Sequence, residues 1–397
     1  MMRHIRANGR RRGAGFVLTV TLAIGIIGTW ATDAHALTYA FVGTTHLADK
    51  PTVRSVSCIT SDNCVVVGYQ MARIFNGHSA TPIQGLDGPS TVVDGRDRNS
   101  WNSVSCVPSG ACMMTGLGDD GRAAGSAFRA SFTAPWKRVV MPIPAQMTAN
   151  PGNYFFQNLS CASATFCLEV GTIGTETGTE SADWSWDGTS WHVGTLNPQI
   201  AGDTHLRGVS CWAADQCLVV GDDDYADPVR WRLDGSTWHR ANLPDGQGRE
   251  SDPEAVSCWA AEQCMVIGTR TTSSTAMVVV WQWSGGSFTR TTVPNLQTSD
   301  VTFLGLSCST ANLCVAAGVH GDNSVTGTLG TFVLLWDGTS WIRPSVHVAN
   351  VGAGRKSVGQ AVSCVPLASC QLVGYAYTNN GVPPTTAASY LDTLKVT

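Results

Sequence analysis

Charge is scarce in this chain. Lys, Arg, Asp and Glu make up 14% of the 397 residues and the formal net charge is −4, so there is no basic field to hold a nucleic-acid backbone. Long apolar runs are scarce too. Beyond Gly28 no segment approaches the ~20 apolar residues that span a bilayer. Also missing are a Gly-rich phosphate loop, a Ser or Cys nucleophile motif and an H-E-x-x-H pair. Those absences remove the usual signatures of phosphoryl transfer, acyl transfer and zinc proteolysis. What is plentiful is glycine (42), tryptophan (14) and cysteine (14), among many Thr and Ser. That is the composition of a turn-rich, all-β exported protein rather than of a helical enzyme.

Residues 1–36 read as a signal peptide. A basic head (Arg3, Arg6, Arg10, Arg11, Arg12) precedes the thirteen-residue run "FVLTVTLAIGIIG", Phe16 to Gly28. Ala34-His35-Ala36 then places small residues where a signal peptidase needs them. The run is short for a membrane anchor, which is the alternative. The arginines stand too far from Phe16 for twin-arginine export. The expectation is a secreted, extracellular protein of residues 37–397 with no transmembrane segment.

All fourteen cysteines fall into C-x5-C pairs: Cys58/Cys64, Cys106/Cys112, Cys161/Cys167, Cys211/Cys217, Cys258/Cys264, Cys308/Cys314 and Cys364/Cys370. An even count in an oxidising compartment implies disulfides, and one spacing used seven times makes pairing within each copy the simplest connectivity. Zinc is the rival. The spacing exceeds the usual two to four residues, and each copy offers two thiolates where a structural site takes four ligands. The expectation is no bound metal here.

The pairs expose a repeat. "VSCWAADQCLVVG", Val209 to Gly221, returns 47 positions on as "VSCWAAEQCMVIG", Val256 to Gly268, and first cysteines recur every 47 to 56 residues. Each second cysteine leads an apolar run, ending in glycine in "CVVVG", "CLEVG" and "CVAAG". Several copies then carry an aromatic-flanked turn such as "WSWDGTSW" (184–191) or "LLWDGTSW" (334–341). Asp-Gly between β-rich segments predicts a type I′ hairpin. Four antiparallel strands per copy, seven times, predict a seven-bladed β-propeller with blades starting near 53, 101, 156, 206, 253, 303 and 359. The seventh copy has three strands, and "LTYAFVGTT" (37–45) is expected to supply its fourth and close the ring. An open solenoid is the alternative. The recurring Trp186, Trp191, Trp231, Trp238, Trp283, Trp336 and Trp341 are expected to pack between blades.

This "SC-x5-C … W-D-G-x-x-W" pattern resembles a group of exported bacterial seven-bladed β-propeller proteins, over essentially all of residues 37–397. It is distantly similar to kelch-type propellers in repeat length. The kelch double glycine is absent, and the sialidase Asp-box departs by one residue at Asp187-Gly188 and Asp337-Gly338. The resemblance implies a fold; it does not supply an activity.

In propellers the loops between second and third strands, and between blades, share the face where the channel opens to ligands. Here those loops vary most, and variable loops on a rigid frame are where binding tends to sit. The densest constellation is Asp222, Asp223, Asp224 and Asp227 around Tyr225. It reads as a solvated acidic loop or as a set of oxygens for calcium, with no other cofactor expected. His205, His320, Asp322, Asp119 and Asp120 are further candidates on that face. Trp212 and Trp259, inside cysteine loops, are candidates for stacking on a sugar. The reading is a monomeric, non-enzymatic binding or adhesion module for an extracellular glycan or protein. Alternatives are a carbohydrate-active hydrolase or lyase, which needs carboxylates or His groups facing each other across the channel, and an extracytoplasmic assembly scaffold.

Overall fold

In a computed structural model, the described residues are 39–48, 53–87, 100–117, 124–142, 154–175, 178–194, 204–223, 227–244, 251–271, 276–297, 301–321, 329–344, 355–366, 369–378 and 387–396. The proposed signal segment, 1–36, lies outside them. The described residues form seven four-stranded antiparallel sheets and no helix. The chain is a seven-bladed β-propeller.

In blades 1 to 6 the strands follow chain order from the channel outwards. The innermost strands are Val53–Thr60, Ser100–Cys106, Tyr154–Ser163, His205–Ala213, Ser251–Ala260 and Val301–Thr310. Blade 7 is composite. Arg355–Val365, Ser369–Thr378 and Ala387–Val396 are completed by Tyr39–Ala48, which pairs antiparallel with Ala387–Val396 from Tyr39↔Val396 to Ala48↔Ser389. The closing strand is therefore longer than the nine residues expected. Leu37 and Thr38 lie outside the described residues.

Each C-x5-C pair is a disulfide joining the first strand of its own blade to the second, and the fourteen cysteines include no free thiol. The two halves of a bridge differ in exposure. Cys64, Cys112, Cys167, Cys217, Cys264, Cys314 and Cys370, on the second strands, are at most 1% exposed. Their partners Cys58, Cys106, Cys161, Cys211, Cys258 and Cys364 are half-buried, and Cys308 is buried at 8%. The difference follows from position, since a second strand is covered by a blade on either side whereas a first strand borders the channel. The serine before each first cysteine has a separate task. Its Oγ accepts the N–H of the first cysteine of the next blade at 2.9 Å, at all seven junctions. The seventh junction, Cys58 N–H to Ser363 Oγ, joins the ends of the ring.

The same cover explains the apolar runs. Residues of a second strand need not alternate with polar ones. Val65 and Val67 face blade 2, while Cys64 and Val66 face blade 7. Among the described residues seven apolar clusters form, one per interface between blades. Trp186 and Trp191 fill the 2–3 interface, Trp231 and Trp238 the 3–4, Trp283 the 4–5, and Trp336 and Trp341 flank the 5–6. Closed on itself, the ring leaves no unpaired first or last blade.

The turns differ from the type I′ expectation. Gly188 and Gly338 have positive φ but Asp187 and Asp337 do not. Instead each aspartate accepts the N–H groups of the two residues after its glycine, at 2.7–2.8 Å, in a side-chain-capped loop. Among the described residues both central residues take positive φ only at Gly285-Gly286.

Candidate ligand site at the channel mouth

All seven innermost strands carry a register shift two to four residues before the serine–cysteine pair. The bulged residues are Arg54, Asn102, Gln157, Arg207, Glu254, Leu304 and Gln360, each four positions before its first cysteine. A bulge pushes its strand toward the neighbouring one and re-aims a side chain. It also explains the glycine that ends the apolar run. A Cβ on Gly221 would overlap the His205 carbonyl oxygen, and the same overlap recurs at Gly116, Gly268, Gly318 and Gly374. The bulges sit at the ends of these strands opposite the cysteine turns, so they ring the channel at its loop-rich mouth.

Below this ring lies a cavity of about 210 Å³. Arg54, Asn102, Asn158 and Leu304 line its upper part. The valine and leucine of each "VSC" or "LSC" narrow it, with Ser57, Ser210, Ser257 and Ser363 among the lining below. Arg54 is the one charged side chain among the described lining residues, and no carboxylate joins it there. Gly208 and Gly305 let the innermost strands approach, since a Cβ at either would press on the next strand at 3.0–3.2 Å.

The fourth and fifth blades supply the other charges. Asp222, buried at the end of a second strand, is held by Arg207 Nε at 3.1 Å and His205 Nδ1 at 3.2 Å. Asp223 takes Arg240 at 2.6 Å; its N–H donates to the Asp227 carbonyl and its carboxylate accepts the Asp227 N–H, both at 3.2 Å. Glu254 bridges two blades: one oxygen accepts the N–H of Phe303 in blade 6 and the other the hydroxyl of Thr269 in its own blade. Burial pushes its carboxyl up to about 7, against those two hydrogen bonds and with Asp252 adding to the rise and Arg207 opposing it.

The expected residues are thus divided. His205 and Asp222 meet, with Arg207 as an unforeseen third member. Asp223 and Asp227 meet each other but pair away from Asp222. Asp224, Tyr225, Asp119, Asp120 and Asp322 lie outside the described residues. His320 stands two blades away on blade 6, edge-on to Phe332 and 3.4 Å from Arg343, with its imidazole held below the ordinary range by burial and by that guanidinium. Among the described residues no three His, Cys, Asp or Glu side chains gather as a metal site. Trp212 and Trp259 lie on the opposite face, beside the cysteine turns. Both are half-buried, Trp212 edge-on to Trp283 at 5.6 Å and Trp259 against the 5–6 cluster.

The bridge cysteines belong to the frame and not to the site. Cys64, Cys112, Cys167, Cys217, Cys264, Cys314 and Cys370 lie inside the apolar layers between blades or against them, at the turn end of each second strand. Buried there, their sulfurs offer no surface to a ligand at the channel mouth. The exposed large apolar side chains, Val140 and Tyr39 among them, are spread over five blades. Aligning the copies on their first cysteine is the signal that finds Arg54, Arg207 and Glu254.

No family model and no curated protein sequence matches the chain. Solved structures do match in shape. A structure of YCF48 bound to D1 peptide is 14% identical, with a TM-score of 0.52 over 89% of this chain and 94% of that one. A GH74 xyloglucanase from Xanthomonas campestris is 12% identical, TM-score 0.57, over 88% and 55%. The β-propeller domain of Cps50 (Swd1) from Myceliophteria thermophila is 7% identical, TM-score 0.53, over 90% and 99%. At such identities the likeness is one of fold.

Proposed function

We propose that this protein is a secreted, monomeric, non-enzymatic binding module that seats an acidic group of an extracellular glycan or protein in the loop-rich mouth of its channel. The observation that carries this reading is Arg54, a guanidinium in a polar cavity with the amides of Asn102 and Asn158 and no carboxylate among its described lining. A guanidinium sharing a cavity with neutral amide donors suits a carboxylate. The acids of the fourth blade are already engaged, Asp222 by Arg207 and His205, Asp223 by Arg240. The fold hosts peptide in one similar structure, which makes a protein partner as natural as a glycan. Disulfides in every blade suit an oxidising, extracytoplasmic setting.

The test is a panel of neutral and uronic-acid polysaccharides and acidic peptides, scored for both retention and product release by the purified protein. Retention of acidic members alone, weakened by salt and without product, supports the proposal. Equal retention of neutral members overturns it.

A hydrolase is the second reading. It draws on Glu254, whose carboxyl burial raises to about 7, and on Asp222, both beside Arg207. Release of shorter sugars in the same panel selects it.

A further inference from the structure

We propose that the Cys106–Cys112 bridge of blade 2 is a thiol–disulfide exchange site that takes up a low-molecular-weight thiol as a mixed disulfide on Cys106. In the other six blades the residue across the sheet from the second cysteine is apolar: Phe75, Trp186, Leu233, Trp283, Trp336 or Leu394. In blade 2 it is Arg129. This guanidinium is 1% exposed and donates to Cys112 Sγ at 3.2 Å. Among the described residues no other half-cystine sulfur takes a hydrogen bond from a cation.

Arg129 has company but no counter-ion. Phe132 and Trp136 lie under it, 4.5 and 5.0 Å from guanidinium carbon to ring centre, and the Phe132 carbonyl accepts at 3.3 Å. No described carboxylate pairs with it, and its Nε has no partner. A buried cation without an anion is costly, and burial lowers its pKa to about 10. The group that relieves that cost is an anion appearing at Cys112, as its thiolate.

The chemistry follows from which sulfur is reachable. Cys106 is half-buried and its turn carries the exposed Pro108 and Ser109, while Cys112 is 1% exposed. An incoming thiolate attacks Cys106 Sγ and forms a new S–S bond there. The Cys106–Cys112 bond breaks, and Cys112 leaves with the electron pair as a thiolate against Arg129. One thiolate enters and one results, so no further oxidant or reductant is needed. A thiolate beside a guanidinium has a lowered pKa, and a lower-pKa thiol leaves faster. The six other bridges have only apolar groups at this place and serve as built-in controls.

The experiment is brief exposure of the purified protein to reduced glutathione at fixed pH, acid quenching, alkylation and peptide mass mapping of all seven bridges. Cys106–Cys112 is expected to open about tenfold faster than the median of the rest, with glutathione on Cys106 and the alkyl label on Cys112. Arg129→Leu, which installs the residue found there in blades 4 and 7, is expected to bring that rate within about twofold of the others, while Arg129→Lys keeps much of the advantage. Equal rates at all seven bridges in the unaltered protein overturn the proposal without recourse to any variant. Glutathione on Cys112, or an advantage that survives Arg129→Leu, overturns it as well.

Discussion

The N–H of Cys58 donates to Ser363 Oγ at 2.9 Å, across 305 residues of chain and across the junction of blades 7 and 1. The bond is the same in length and partners as the six between consecutive blades, so the ring closes without a distinct seam. Ser363→Ala leaves that amide without its acceptor. Its expected cost is about 1 kcal/mol, a fall in Tm of roughly 1–2 °C by calorimetry. Ser210→Ala, at an ordinary junction, is expected to cost the same within about 0.5 kcal/mol. A seam markedly weaker than the other junctions would show as a larger loss at Ser363.

Leu47 tests the closing strand. It is 1% exposed and packs with Val53, Val66, Val373 and Leu391 at the same junction. Leu47→Ala is expected to destabilise by about 2–4 kcal/mol in urea unfolding. Val42, in the same strand but 51% exposed, is expected to tolerate alanine within about 0.5 kcal/mol. Equal effects at both would mean that the strand is not seated.

Glu169 links stability to pH. It lies fully buried between blades 2 and 3, with one oxygen accepting from Thr115 at 2.7 Å and the other without a partner. Burial raises its pKa from 4.5 to about 8, against the Thr115 hydrogen bond. The folded state therefore binds the proton more tightly than the unfolded chain. Relative stability is greatest below about pH 4.5 and declines as pH rises toward 8, where the carboxylate must form in the interface. Glu169→Gln is expected to be more stable than the parent by a few kcal/mol at pH 8, with the gap nearly closed at pH 5. Glu254 and Asp392, raised by burial to about 7 and about 6, add the same sign and keep some pH dependence in the variant. Chemical unfolding at both pH values decides; a gap that is the same at pH 5 and 8 would remove Glu169 as its source.

Arg54 tests the site. Arg54→Ala is expected to lower retention of acidic ligands about tenfold or more while changing unfolding free energy by less than about 0.5 kcal/mol, because the side chain is exposed and its loss opens no core. Arg240→Ala, which releases Asp223 on the fourth blade, is expected to lower retention less than threefold, about the effect of a screened rim charge. Undiminished binding in Arg54→Ala would move the site off the channel.

The candidate site was less legible than the fold. Acidic loop residues draw the eye because they are dense, yet Asp222 and Asp223 turn to Arg207 and Arg240. Arg54 and Glu254 stand alone in unremarkable segments and acquire meaning only when each copy is aligned on its cysteine. Trp212 and Trp259 look like free aromatics in short loops. How much of an indole a neighbouring blade covers depends on the distance between blades, which no local pattern records.

The amino-acid sequence alone determined the blade. C-x5-C spacing limits how two strands can join, turn residues mark the hairpins, and uninterrupted apolar runs require cover on both faces, all within about fifty residues of chain. Tertiary structure decided everything that lies between blades. The seven Ser–Cys hydrogen bonds, the aim of Arg54 toward the channel and of Glu254 into blade 6, and the buried states of Arg129 and Glu169 arise only where residues some fifty or three hundred positions apart are brought together. Local preference governs short-range geometry, whereas an electrostatic environment is set by neighbours that ring closure alone brings into contact.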